Sequence, residues 1–362
     1  MRATPRGCDI LPSFYIMERE KRKVTIFAVS DIHGCATALM KSLDEAGFDR
    51  RNPNHLLIVL GDLFDRGGEN RAVLEYLNTV KNKILIRGNH EDILMDSLTS
   101  GRVGHLQEIN GTLTTLAEFF TYYNGEPYLD IVESSGRRVA EMLRTRIDSM
   151  YDYFESENYI FVHGWITEDA GENDFRYATE AKWHRARWDR WHNRYPNFDI
   201  PDGKTLVVGH TPCYYGSMFD KSRSDYDCSI FYGDRLVAID GAAVSRGAVN
   251  VFVTEDEIYV PTAHTIDVTD TEMQEFSRGG VFCLLLPFTG DATGIRIGDK
   301  LSLGTLDGSR LTFTVTATRL CTDLDTLDNE RFHYDACLPS PTADAALTAL
   351  GEGIPPLLLV IT

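Results

Sequence analysis

The chain has no paired-cysteine motif. Its seven cysteines, at positions 8, 35, 213, 228, 283, 321 and 337, are scattered, odd in number and never in a CxxC spacing, which suits free thiols in a reducing compartment. Long apolar runs are also missing. The strongest, Val281-Phe282-Cys283-Leu284-Leu285-Leu286, is far short of the roughly 20 residues that a membrane-spanning helix requires, and the first 20 residues contain no signal-peptide core. A cytoplasmic location is therefore expected, with no membrane partner. Positive charge is scarce as well. With 36 Lys+Arg against 54 Asp+Glu the net charge is -18, which should repel polyanions and makes nucleic acid an unfavoured partner.

What remains is an ordinary globular composition, 43% hydrophobic and 10% aromatic, enough for a sizeable core and too apolar for general disorder. A chain of 362 residues exceeds what one ordinary core organises, so a large domain with a smaller appendage is expected. Residues 1–22 read as a tail, in which Met17 is an alternative start to Met1. From Val24 onward short apolar runs alternate with polar turns and helix-like stretches, the pattern of a layered α/β domain. The strand-sized runs are Val24–Val29, Leu56–Leu60, Lys83–Ile86, Tyr159–Val162, Thr205–Val208, Leu236–Ile239 and Val249–Val253. Between the third and fourth, Val139, Leu143, Ile147, Met150, Tyr151 and Phe154 fall at helical spacing and predict a cap that packs an apolar face on the domain. Residues 263–362 change character, with strand-like runs Val281–Leu286, Lys300–Leu303, Leu311–Thr318 and Leu357–Ile361 that predict a small β-rich domain.

The first five runs are each followed at once by polar residues: Asp31-x-His33, Gly61-Asp62-x-x-Asp65-Arg66-Gly67, Arg87-Gly88-Asn89-His90-Glu91, His163-Gly164 and Gly209-His210. Open α/β sheets place their ligands at these carboxyl ends of strands. One Asp in a turn is usually a cap, and one His at a strand end is usually structural. Six such residues gathered at one sheet edge would be costly to bury without cations. Carboxylate, amide oxygen and imidazole donors without thiolates suit Mn, with Fe or Zn as alternatives. Two such ions sharing Asp62 would bring the pKa of a shared water towards neutrality and make it a nucleophile.

In order and spacing these motifs resemble the calcineurin-like metallophosphoesterases, and within them the bacterial branch of the phosphoprotein phosphatases, over about residues 23–262. The resemblance implies a layered β-sandwich flanked by helices. It also implies that Asp31, His33 and Asp62 hold one divalent metal, and that Asp62, Asn89, His163 and His210 hold a second. Arg66 would bind phosphate oxygens, and His90, oriented by Asp65, would protonate the leaving oxygen. A serine alkoxide is a poor leaving group and needs that proton, while charge on the phosphoryl oxygens favours a forked guanidinium. Relatives carry a second phosphate-binding arginine after a Trp; in Trp183-His184-Arg185-Ala186-Arg187 both arginines qualify, and Arg187 is favoured. The expected activity is direct hydrolysis of phosphate monoesters in a phosphorylated protein or small phosphoester, of the serine/threonine phosphatase type. A diadenosine tetraphosphate-type hydrolase is the alternative, and a non-catalytic metal-holding module is the alternative of another class. Gly209-His210-Thr211-Pro212, in place of Gly-His-x-His, supports the protein-phosphatase branch, and Asp240-Gly241-Ala242-Ala243 looks like the bacterial ending. The stretch Ile295 to Leu301 with the strands around it faintly resembles ASCH or PUA-like barrels, which often bind RNA. Residues 265–362 carry 14 acidic against 6 basic residues, however, which disfavours a phosphate-tracking surface and leaves an accessory role.

Overall fold

In β1 (Lys21–Val29), Val24, Ile26 and Ala28 bury on one face while Phe27 and Val29 bury on the other. A strand apolar on both faces has to lie between two layers. The computed structural model of the protein describes residues 20–120, 134–167, 174–198, 200–267, 273–274, 282–287, 295–305, 310–321, 325–327, 350 and 356–362. The expected tail before residue 20 and Cys8 and Cys337 lie outside the described residues.

The first sheet has the order β3-β2-β1-β9, with β2 (His55–Leu60) and β3 (Lys83–Ile86) parallel to β1, and β9 (Phe252–Tyr259) antiparallel to it. The second has the order β4-β5-β6-β8-β7, from β4 (Tyr153–Glu155), β5 (Tyr159–Val162), β6 (Thr205–Val208), β7 (Phe231–Gly233) and β8 (Leu236–Ala238). The two sheets share one apolar interior, where Ile26, Ala28, Ile58 and Leu60 meet Phe161, Val207 and Val237. On the outer face of the first sheet pack α1 (Ala36–Glu45), α2 (Asn70–Thr79), α3 (Asn89–Ser100), α4 (His105–Asn110), α5 (Thr112–Phe119) and α6 (Ser134–Asp148), around a core with Leu39, Leu74, Leu94, Leu116 and Leu143. On the outer face of the second, α7 (Glu180–Trp188) seals Trp183 against Tyr153, Ile160 and Val162. This is a β-sandwich flanked by helices.

A third sheet, β10-β12-β13-β14-β11, forms the β-rich C-terminal region from β10 (Ala263–Asp267), β11 (Phe282–Pro287), β12 (Lys300–Gly304), β13 (Arg310–Leu320) and β14 (Pro356–Ile361). It has its own core of Phe282, Leu284, Leu301, Leu303, Val315 and Leu359, into which Tyr177 of the second-sheet side also inserts.

Three local expectations need correction. The helical spacing through Met150, Tyr151 and Phe154 ends at Asp148; Tyr151 bridges Ile86, and Phe154 lies on β4, where pairing with β5 outweighs helical periodicity. The last strand of the first sheet is not Val249–Val253 but Phe252–Tyr259, paired with β1 along eight residues. Its polar stretch concealed it, because the inward Asp256 is buried and satisfied by the Asn158 backbone N–H at 3.0 Å and side-chain amide at 2.7 Å. The short β4, β7 and β10 were not foreseen; each of the first two is three residues long and pairs along the edge of its sheet.

Candidate active site

Every parallel strand of the sandwich ends at the same rim, so the five motifs converge there. The turns that carry them are left-handed. Asp31, His33, Asp62, Asp65, Arg66 and His210 all have φ between 48° and 74°, a region that costs a non-glycine residue roughly 1 kcal/mol or more and persists only where its surroundings impose it. Here the backbone imposes it. His33 N–H donates to the Asp62 carbonyl at 2.9 Å, Gly34 N–H to Leu63 at 2.9 Å, and Gly67 N–H to His33 at 3.0 Å. Gly61, at φ 77°, is required for close approach, since a Cβ there would stand 2.6 Å from the Gly88 backbone and 2.8 Å from His163 Nδ1.

Asp62 is the centre. Its Oδ1 lies 3.4 Å from His163 Nε2 and its Oδ2 lies 3.6 Å from His33 Nε2. Ligand atoms of Asp62, His163 and His210 fall within 4.8 Å of one another, as do those of Asp62, His33 and His90. Asp31 joins from the side: its Oδ2 accepts from the Ser30 hydroxyl at 2.6 Å and from His210 N–H at 2.8 Å, while its Oδ1 stands 4.0 Å from His33 Nε2. Asn89 Oδ1 lies 2.9 Å from His163 Nε2.

These contacts fit divalent cations. His33 Nδ1 bonds the Phe64 carbonyl at 2.9 Å and His163 Nδ1 bonds Leu60 at 2.6 Å. A carbonyl accepts only from N–H, so both rings carry their proton on Nδ1 and aim an Nε2 lone pair inward. The inward neighbours of His163 Nε2 are then oxygen lone pairs of Asn89 and Asp62, an arrangement that a cation stabilises. The electrostatics agree. Burial, reinforced by the charges of Asp31 and Glu91, pushes the Asp62 carboxyl well above its usual range. Burial also holds the His33 and His210 imidazoles well below theirs, with neighbouring histidines adding to the effect. The Asp62 carboxyl, short of positive charge, thus faces the His33 and His210 imidazoles, whose hold on a second proton is weak.

Arg66 spans the mouth. Its two terminal nitrogens lie 2.9 Å from His33 Nε2 and 2.9 Å from His90 Nε2, so the guanidinium supplies the positive charge at these lone pairs. Behind it His90 Nδ1 lies 2.8 Å from Asp65 Oδ2. The Asp65 carboxylate is held by the hydroxyls of Thr112 at 2.8 Å and Thr115 at 2.7 Å. Burial pushes the Asp65 carboxyl up to about 6 against those hydrogen bonds. Burial, then the positive charge of Arg66, pushes the His90 imidazole down to about 2.

Arg187, expected to bind phosphate, lies elsewhere. It is buried, with its guanidinium taken up by Asp92, Asp152 and Glu180. The alternative, Arg185, is exposed on the same helix. The chain following α7 does reach the site: the Trp188 ring stands 6.3 Å from that of His210, the Trp188 carbonyl accepts from the His210 ring, and the exposed Arg190 lies close enough to lower the His210 pKa. Arg190 was not among the expected phosphate ligands, although Trp188-Asp189-Arg190 repeats the Trp-x-Arg signal of Trp183 and Arg185. Glu91 likewise had no expected role. One carboxylate oxygen of Glu91 accepts from Asp62 N–H at 2.9 Å and Gly88 N–H at 2.8 Å, and the other accepts from Leu63 N–H at 2.9 Å. Its place three residues after Gly88, at the start of α3, is the acidic position of a capping box and was the available signal.

The calcineurin-like phosphoesterase family profile matches residues 24–246, and the chain belongs to that family. It is 29% identical over 205 residues to a serine/threonine-protein phosphatase 2 of Salmonella typhimurium, a stretch covering 54% of this chain and 83% of the relative. It is 39% identical over 77 residues to serine/threonine-protein phosphatase 1 of the same organism, 21% of this chain and only 34% of that relative's length. An asymmetrical bis(5'-nucleosyl)-tetraphosphatase of Halalkalibacterium halodurans is 25% identical over 150 residues, 39% of this chain and 57% of the relative. The family and these relatives support a hydrolase acting on phosphoesters. No helix among the described residues is long and apolar enough to cross a membrane.

Proposed function

We propose that this phosphoesterase is a phosphomonoesterase of the serine/threonine protein phosphatase type, acting on a phosphorylated protein or a small phosphoester. Asp31, His33 and Asp62 would hold one divalent ion, and Asp62, Asn89, His163 and His210 a second, with Mn the best match to the donors. Bound there, the ions supply Lewis acidity at the phosphoryl oxygens and lower the pKa of nearby water. The protein groups do the rest. Arg66 leaves the two imidazoles and places its fork on the phosphoryl oxygens, where spreading negative charge is stabilised. Arg190 adds a second positive charge beside His210. Freed of the Arg66 guanidinium and facing the phosphoryl negative charge, His90 Nε2 takes up a proton from solvent while its Nδ1–H donates to the Asp65 carboxylate, and it then gives the Nε2 proton to the leaving oxygen.

The observation that carries this reading is the linked set Arg66, His90 and Asp65 beside the Asp62 centre, because a site that only held metals has no use for a guanidinium clamp and a carboxylate-backed imidazole. The tetraphosphatase relative favours a second reading, hydrolysis of dinucleoside polyphosphates. A manganese-supplemented panel of phosphoserine and phosphothreonine peptides, diadenosine tetraphosphate and a cyclic phosphodiester, each with and without chelator, separates the two. Faster chelator-sensitive turnover of the phosphopeptides supports the first reading. Turnover of the dinucleotide alone replaces it with the second, and none of any substrate with Mn, Fe or Zn removes both.

A further inference from the structure

The β-rich C-terminal region reaches the catalytic layers through a buried line of charges. Arg319, on β13, is 1% exposed, and one of its terminal nitrogens lies 2.7 Å from Asp152 and 2.8 Å from Glu180. Both acids also bind Arg187, each at 2.7 Å. Arg187 extends to Asp92 at 3.1 Å, and Asp92 is held by Arg87 at 2.6 Å. Three guanidiniums thus balance three buried carboxylates. Burial opposes ionisation of Glu180, yet Arg187, Arg319 and Arg87 together keep its carboxyl well below the ordinary range.

The two ends of this line matter. Arg87 and Asp92 bracket Asn89 and His90 in sequence, with α3 beginning at Asn89. Arg187 immediately precedes Trp188, against His210, and lies three residues before Arg190. The contacts of Arg187 are also unequal, tighter to Glu180 and Asp152 than to Asp92, whose oxygens stand at 3.1 and 3.3 Å. With Arg319 gone, Asp152 and Glu180 would lean harder on Arg187 for their buried charge, and Arg187 would be drawn off Asp92.

We infer that Arg319 is a positioning residue for the phosphoester reaction. By neutralising Asp152 and Glu180 from the C-terminal region, it frees Arg187 to hold Asp92, and so sets both the segment bearing Asn89 and His90 and the segment bearing Trp188 and Arg190. This rests on the roles proposed above for those residues. An attachment alone would not need buried charge, which is costly to desolvate; Tyr177 in the C-terminal core and the Thr318 hydroxyl bonding the Arg176 carbonyl at 2.9 Å already join the two parts.

The test uses the full chain carrying Arg319→Met, Arg319→Lys, or Arg319→Met with Asp152→Asn, which restores the balance of two guanidiniums to two carboxylates. Steady-state kinetics on 4-nitrophenyl phosphate with manganese, well below each unfolding midpoint, are paired with amide hydrogen exchange. Arg319→Met should lower kcat about tenfold or more, since small misplacements of catalytic groups cost that much. It should also raise exchange in residues 87–92 and 183–190. Arg319→Lys keeps the charge but not the fork and should lose about threefold, and the double variant should recover most of the loss. If kcat and KM stay within about twofold of the parent and exchange rises only in residues 174–180 and 310–321, Arg319 is an attachment and the inference is overturned. Should Arg319→Met not fold, Arg319→Lys carries both readouts. If the parent turns over no phosphoester, the proposed function has failed, and the exchange pattern still decides the role of Arg319.

Discussion

Glu91 offers the sharpest test of how this site is held. Replacing it with alanine removes a fully buried carboxylate that accepts three backbone N–H groups, from Asp62, Leu63 and Gly88. Hydrogen bonds to a charged acceptor contribute roughly 1.5–3 kcal/mol each, and an orphaned buried donor costs about 1–3 kcal/mol. Part of this is offset, because burial pushes the Glu91 carboxyl above its usual range and the charged form is therefore itself costly to hold. A net loss of about 4 kcal/mol follows, or roughly 8–16 °C in unfolding midpoint for a domain of this size. Glu91→Gln keeps one oxygen for the Asp62 and Gly88 N–H groups but turns an amide NH2 towards Leu63 N–H, and should lose about 1–2 kcal/mol. The assay is urea unfolding with and without manganese, paired with the manganese concentration for half-maximal activity. Because Glu91 fixes the left-handed turn at Asp62, that concentration should rise about tenfold or more in Glu91→Ala. Unfolding within about 1 kcal/mol of the parent and unchanged manganese dependence would refute the claim that Glu91 holds Asp62 in place.

The other predictions concern the reaction itself. His90→Ala should slow an alkyl phosphate such as phosphoserine about 100-fold and an aryl phosphate far less, since phenolate leaves without a proton; equal losses would remove His90 from the acid role. Asp65 should set an acid limb near pH 6. Its folded carboxyl titrates at about 6 instead of 3.8, so falling pH neutralises the partner of His90 there, and activity on alkyl phosphate should drop below that pH. The limb should vanish in Asp65→Asn, and a flat profile of the parent from pH 5 to 7 would count against it. Arg190→Ala should weaken inhibition by inorganic phosphate about tenfold with little change in stability, whereas Arg187→Met should destabilise the fold by about 3–5 kcal/mol, as expected for a broken buried ion pair. The reverse pattern would return the phosphate role to Arg187.

Much of this protein was legible because its strands are buried on both faces. Residues 24–29, 56–60 and 205–208 are apolar runs that no surface element would carry, and each is followed at once by polar residues, so parallel strands alone bring Asp31, Asp62, Asn89, His163 and His210 to one rim. Asp256 shows the limit. An acid pointing into the interior of β9 reads as a loop until Asn158, almost a hundred residues away in sequence, is seen to satisfy it. Arg187 shows it again, since the same Trp-x-x-x-Arg spacing serves a phosphate clamp or a buried ion line, depending on which way the helix is rolled.

The sequence by itself determined the chemistry: which side chains are available, in what order along the strands, and hence a phosphoester hydrolase with oxygen and imidazole donors. Those are local properties, written in the residue following each strand. Only the tertiary structure decided which arginine stands beside His210, that Glu91 clamps the turn at Asp62, and that Arg319 completes a line of charge ending at α3. These depend on contacts between residues far apart in the chain, where a buried charge takes whichever partner the packing brings within hydrogen-bond reach.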